Sequence, residues 1–301
     1  MNPLAFRWML VRRLRATRCL SWHMLGFLAS PKFPARSRAV RDFFGTRLTV
    51  RDETSFDFTV PHEGRFVLPR SLGMSEQAAI WEALITLWFP VYCLDQYDAH
   101  RFLRPGMTVI DGGGHVGCFA RLAAKLVGPT GKVVSVEPCP QNLPMLRENA
   151  AAARGAEITV VAQALAAESG QVTLDVANTN LGYQALSTRP DLEILGQITV
   201  PAIPVDALTA SAGLDRVDLI KLDVEGAEEA ALAGAAKTLR VHRPVVIVAS
   251  YHRPGDEEAL VQQLRSLTER YHVAPYDAYP GAEPHVIALP EERVPSRGVP
   301  R

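Results

Sequence analysis

The chain has 301 residues, 48% of them hydrophobic and 21% charged, enough apolar material for a sizeable core and too much for a disordered protein. Lys+Arg and Asp+Glu are equal at 32 each, which argues against a general nucleic-acid binder. Four scattered cysteines, Cys19, Cys93, Cys118 and Cys139, form no CxxC pair and read as free thiols of a reducing, cytoplasmic setting, and no apolar run reaches the ~18–20 residues that span a bilayer.

The balance hides an asymmetry, because residues 1–51 hold eleven Lys/Arg and one acid, Asp42. Residues 1–70 are read as a basic, irregular extension punctuated by Pro31, Pro34, Pro61 and Pro69, with short β-prone pieces such as Phe56–Val60. Its charge suits weak contact with an anionic membrane surface, beside the plainer reading of a solvated tail. Residues 71–104 are read as a helical cap. Ile80, Trp81, Leu84, Leu87 and Trp88 recur at helical spacing, Pro90 is expected to end or kink that helix, and the stripe is expected to pack against the main domain.

From residue 105 to 290 the pattern becomes strand, helix, strand, helix, and 291–301 is a tail. Expected strands are Met107–Asp111, Lys132–Glu137, Glu157–Ala162, Val217–Asp223 and Val245–Ser250, with extra strands at Gln171–Val176 and Gln197–Ile203. Helices are expected over Val116–Val127, Asn142–Ala152, Gly226–Leu239 and Asp256–Tyr271, then strand-like pieces at His272–Tyr276 and Val286–Leu289. That alternation predicts an α/β fold: a doubly wound, mostly parallel sheet covered on both faces.

In such sheets ligands bind beyond the carboxyl ends of the strands. The first strand ends at Asp111 and runs into Gly112-Gly113-Gly114-His115-Val116-Gly117, while the second ends at Glu137, whose carboxylate suits the hydroxyls of a ribose. Gly112-x-Gly114-x-x-Gly117 formally matches a dinucleotide fingerprint, so an NAD(P) oxidoreductase is one reading. An acidic Asp111 at the mouth of the loop would repel a pyrophosphate and attract the ammonium and sulfonium of S-adenosylmethionine.

The fourth strand carries Lys221 and Asp223 on one face, so both must be paired or face a polar cleft. Glu225 and Glu228 follow in the first turn of the next expected helix, where acids suit the helix dipole; they are a weak metal signal, and no metal site is assigned. The fifth strand leads into Tyr251-His252, and His252 over the crevice is the candidate general base, with Asp223 orienting the base or the acceptor. Asn178, Asn180 and Tyr183 are candidate acceptor contacts in a loop that otherwise reads as solvated.

The segments VIDGGGHVG, VVSVEPCPQNLPMLREN, VVAQALAAESGQVTL and DLIKLDVEGAEEAAL resemble the FkbM family of S-adenosylmethionine-dependent methyltransferases. The resemblance covers about 105–271 and implies a class I methyltransferase domain with a seven-stranded sheet, S-adenosylmethionine as cofactor, and O-methylation of a hydroxyl on a sugar or natural product; no nucleic-acid partner is expected, since the domain has no NPPY-like tetrapeptide and no basic, aromatic-rich groove. It implies that Asp111, Gly113, Gly114 and Gly117 line the methionine part of the cofactor, that Glu137 holds the ribose, and that Gln163 and Ala164 lie near adenine. Asn142 matches the family's EPxPxN segment, and Asp223, Glu225 and Gly226 its DVEG element. Gly114-His115 stand where Ala-Asn is usual, and Ala249-Ser250 where the fifth strand often has a glutamate. A non-catalytic binding or scaffold module of the same fold is the other alternative.

Overall fold

The computed structural model describes residues 47–70, 79, 83–92, 94–179, 182–186, 194–278 and 283–294. The basic stretch before residue 47, Ile80, Trp81, Cys19, Cys93 and Asn180 lie outside the described residues, as do the side chains of Asn178 and Tyr183. Among the described residues, no helix is long and apolar enough to cross a membrane. The chain divides into two compact units, one of Met1–Tyr97 with the short pieces Asn180–Gly182 and Ala278–Ala282, and a larger one of Asp98–Thr179, Tyr183–Asp277 and Glu283–Arg301.

The first unit is more regular than its sequence predicts. Strands β1 (Arg47–Val50), β2 (Ser55–Val60) and β3 (Gly64–Pro69) form an antiparallel meander. In β2, which contains the β-prone piece Phe56–Val60, the polar Asp57 and Thr59 alternate with buried Phe56, Phe58 and Val60, the pattern of a half-buried strand. A π-helical turn, Leu84–Trp88, runs into α1 (Phe89–Tyr92). Pro90 therefore sits inside the helical segment; the wider π turn before it relaxes the i→i−4 pairing that a proline cannot supply. Trp88 stacks on Tyr92 at 4.9 Å and meets Phe58 of the meander edge-on at 5.2 Å.

The larger unit opens with the single turn α2 (Ala99–Phe102). A seven-stranded sheet follows, built from β4 (Thr108–Gly112), β5 (Lys132–Val136), β6 (Ile158–Val161), β11 (Leu219–Leu222), β12 (Val245–Ala249), β13 (Tyr271–Tyr276) and β14 (His285–Pro290). Its order is β13-β14-β12-β11-β4-β5-β6, with β14 antiparallel to both neighbours and the other pairings parallel. Four helices follow the parallel strands: α3 (Cys118–Val127) after β4, α4 (Leu143–Ala151) after β5, α6 (Glu228–Ala233) after β11 and α8 (Asp256–Leu267) after β12. Two further helices, α5 (Val205–Ser211) and α7 (Ala236–His242), have seven residues each. Ile110, Val134, Ile220, Leu222, Val246 and Val248 form one core with Leu208, Leu232, Leu239, Leu260 and Leu264 of the helices.

A second sheet, β7-β10-β8-β9, collects β7 (Ala164–Leu165), β8 (Gly170–Thr179), β9 (Gly182–Leu186) and β10 (Ile194–Ile203). The helix expected over Gly226–Leu239 is two helices, α6 and α7. It breaks at Gly234, where a Cβ would lie 2.2 Å from the Ala166 carbonyl oxygen, so a close chain approach fixes the break.

Candidate active site

The loop after β4 is held by a row of polar side chains at one height of the sheet. Ser135, Asp111 and Lys221 are register partners across β5, β4 and β11. Ser135 Oγ donates to Asp111 Oδ2 at 3.0 Å, and Lys221 Nζ lies 3.1 Å from Asp111 Oδ1. The same ammonium donates to the carbonyls of Gly112 at 3.2 Å and Gly113 at 2.8 Å. Burial opposes the Lys221 charge, but Asp111, Asp223 and Glu137 outweigh it and hold its pKa above the ordinary lysine value.

Asp111 therefore does not sit at the mouth of the loop. Its side chain is fully buried and its charge is matched by Lys221, so it repels no pyrophosphate and attracts no sulfonium directly. Its work is to anchor the lysine that gathers the loop carbonyls. Gly113 has φ +75°, and a Cβ there would lie 1.7 Å from the Asp223 carbonyl oxygen, so glycine lets the loop approach the end of β11.

The loop amides are spoken for as well. Gly113 and Gly114 donate to the Val136 carbonyl, Gly117 donates to Gly114, and His115 donates to Glu137 Oε2 at 2.8 Å. A dinucleotide site needs such amides for its phosphates. The topology differs too, because β14 runs antiparallel between β12 and β13, whereas the dinucleotide fold continues with parallel strands.

Glu137, just past β5, is buried and accepts three hydrogen bonds. Besides His115, the Cys139 amide donates to Oε1 at 2.9 Å and Asn142 Nδ2 donates to the same oxygen at 3.2 Å. Of a carboxylate's roughly four acceptor positions, about one remains on Oε2 for a hydroxyl. Asn142 thus acts through Glu137 as a positioning residue. Asn149, which sequence reasoning missed, is buried on α4 and donates to the Val116 carbonyl at 2.7 Å, pinning the far side of the loop. Gln163 is half-buried at the end of β6, and Ala164 is buried in β7. The His115 imidazole sits beside this loop with its pKa lowered to about 4 by burial and by Lys221, against the pull of Asp223.

Across the crevice, Asp223, Glu225, Glu228, Tyr251 and His252 come together. Glu225 is not in the helix, as the sequence pattern predicts; it stands in the left-handed region at φ +56°, and α6 begins at Glu228. Tyr251 donates its hydroxyl to Asp223 Oδ1 at 3.0 Å. His252 Nε2 lies 3.5 Å from Asp223 Oδ1 and 3.3 Å from Glu225 Oε2, and Nδ1 lies 3.0 Å from Glu228 Oε1. Burial opposes charge on the imidazole, but Glu225, Glu228 and Asp223 outweigh it and raise its pKa to about 10. The role of Glu228 was hidden because an acid at a helix start has a sufficient reason in the dipole alone.

The sheet order with its antiparallel β14 defines the fold of class I S-adenosylmethionine-dependent methyltransferases, the class whose cofactor is S-adenosylmethionine. A family model described as the methyltransferase FkbM domain matches residues 111–272, more than half of the chain, and the chain belongs to that family. A 59-residue stretch is 42% identical to the protein-L-isoaspartate O-methyltransferase of Methanothrix thermoacetophila, covering 20% of this chain and 28% of that protein. Among solved structures, the methyltransferase FkbM of Methylobacillus flagellatus KT is similar over 64% of this chain and 49% of its own, at 20% identity and a TM-score of 0.45. Aeropyrum pernix fibrillarin, solved with natively bound S-adenosyl-L-methionine, is similar over 80% of this chain and 96% of its own, at 11% identity and a TM-score of 0.39. The chain thus spans about half the length of the FkbM structure and about a quarter of the curated relative.

Proposed function

We propose that this protein transfers the methyl group of S-adenosylmethionine to a hydroxyl oxygen of a small molecule, of the sugar or natural-product kind. The observation that carries this reading is the pairing of two unlike carboxylate sites over the carboxyl ends of the sheet. Glu137 is locked by three donors on the β5 side, and Asp223 bonds to Tyr251 on the β12 side. The first suits a ribose hydroxyl, and the second suits an acceptor about to lose a proton.

The residues present fit the cofactor. Glu137 keeps an acceptor position for a hydroxyl, and the carboxylates across the crevice favour a cationic donor. When bound, S-adenosylmethionine supplies a methyl group already activated by its sulfonium. The protein's part is alignment of the acceptor oxygen and care of its proton. Sequence reasoning gave the base role to His252, but an imidazole with a pKa of about 10 already holds its proton at neutral pH. The role passes to Asp223, whose side chain is 16% exposed and so reachable from the crevice. His252 then acts as a positioning residue that steadies Asp223 and Glu225, and Tyr251 orients Asp223.

The test is transfer from S-adenosylmethionine labelled at its methyl group to a panel of hydroxylated small molecules, matched with amine and carboxylic-acid analogues. Alkali-stable label on the hydroxyl compounds is expected, since ethers survive conditions that cleave esters. Label confined to amines or carboxylic acids would contradict the reading, as would no transfer to any member.

A further inference from the structure

We propose that Asp223, Glu228 and His252 form a binding site for a divalent cation. One ligand atom from each lies within 4.8 Å of the others, the spacing of a set that small side-chain adjustments close around an ion. Ligands bonded at about 2.0–2.2 Å stand on the order of 3 to 4.4 Å apart around a common ion. An imidazole gives an ion one nitrogen only, and each ring nitrogen has a carboxylate oxygen at that spacing, Glu228 Oε1 at 3.0 Å from Nδ1 and Asp223 Oδ1 at 3.5 Å from Nε2.

An independent observation comes from the histidine itself. Its side chain is only 1% exposed and is aimed into the cluster, yet neither ring nitrogen makes a hydrogen bond of directed geometry. Buried imidazole nitrogens ordinarily have directed partners. Here they face carboxylate oxygens at contact distance without the alignment an N–H requires. Charge points the same way. Asp223, Glu225 and Glu228 crowd one imidazole, three carboxylates around a ring that carries at most one positive charge. Burying carboxylates together is costly unless a cation joins them.

Two carboxylates and one imidazole, neutral once the incoming ion displaces its proton, form a mixed oxygen–nitrogen set suited to manganese or zinc more than to soft metals. Glu225, with its side chain 27% exposed and 3.3 Å from His252 Nε2, can swing in as a fourth ligand. The ion's remaining positions would face the crevice, open to oxygen ligands. If the proposed methyl transfer is right, those positions would take the oxygens of a hydroxylated acceptor, favouring acceptors with two neighbouring oxygens. The site itself does not depend on that reading.

The test is titration of the purified full-length chain with Mn2+, followed by electron paramagnetic resonance, for wild type and for the variants Asp223→Asn, Glu228→Gln and His252→Gln. One bound ion per chain is expected, with affinity at least about tenfold weaker in each variant, the loss of one charged or directional ligand. Asp223→Asn is the variant least able to disturb the fold, being partly exposed, and circular dichroism on each sample reports folding separately. No Mn2+ bound by folded wild type would overturn the proposal, and so would Mn2+ binding of equal strength in wild type and Asp223→Asn. Titration with S-adenosylhomocysteine on the same samples separates this outcome from failure of the methyltransferase reading.

Discussion

Two corners of the crevice are built from the same residue types and solve opposite problems. On the β4–β5 side each charge has its match: Asp111 meets Lys221 and Ser135, and Glu137 meets three donors. On the β11–β12 side three carboxylates crowd one histidine, whose ring nitrogens lack directed hydrogen bonds. A satisfied buried network is rigid, which is what a cofactor holder requires. A crowded, under-compensated cluster stores electrostatic free energy that a bound cation or a transferred proton can release. On the proposed function, the difference divides the site into a part that holds and a part that reacts.

The sharpest break of that division is Asp223→Asn. Turnover with the acceptor found in the labelled-methyl screen should fall by about 10²–10⁴-fold, the usual worth of a general base. Affinity for S-adenosylhomocysteine should stay within about threefold, since Asp223 belongs to the reacting corner. Lys221→Met attacks the holding corner. It leaves Asp111 buried without its cation and the Gly112 and Gly113 carbonyls without their donor, so urea unfolding should lose about 3–5 kcal/mol. A loss below about 1 kcal/mol would mean that the pair is not the anchor of the loop.

Acid sharpens the comparison further. His285 is 1% exposed, and its pKa is lowered to about 4, chiefly by burial; that of half-buried His115 is lowered to about 4 by the same cause. Unfolding restores both to about 6.5, so the unfolded chain binds more protons between those values. Stability should therefore fall as pH drops from about 6.5 to about 4, by up to about 3 kcal/mol for His285. His252 works the other way. With its pKa raised to about 10, its contribution is complete below about 6.5 and fades as pH rises through 10. Unfolding midpoints measured across this range should fall on the acid side, and His285→Gln should flatten that fall. The smallest effect is expected for Asn142→Ala, which removes one donor from Glu137. It should weaken S-adenosylhomocysteine by roughly threefold to tenfold, the worth of one hydrogen bond of about 1 kcal/mol.

Much of this was legible in the chain. The alternation of strands and helices after residue 105 gives the sheet, and the carboxyl ends of its strands give Glu137, Asp223 and His252. What stayed hidden depends on lateral neighbours. Asp111 reads as a loop-mouth acid until β4 is laid beside β11, when Lys221 appears as its register partner. Glu225 reads as helical because nothing local announces a left-handed residue outside Gly, Asn and Asp. The protonation of His252 was out of reach because it depends on the segment Asp223–Glu228 meeting a ring that lies beyond the next strand. Of the meander Arg47–Pro69 only the β-prone piece Phe56–Val60 was legible, because its strands are only four to six residues long.

The most direct test of the divided site is calorimetric titration with S-adenosylhomocysteine of wild type, Glu137→Ala and Asp223→Asn side by side. Micromolar binding by wild type is expected, weakened at least about tenfold in Glu137→Ala and nearly unchanged in Asp223→Asn. No binding by the folded wild type would contradict the account, as would equal losses in the two variants.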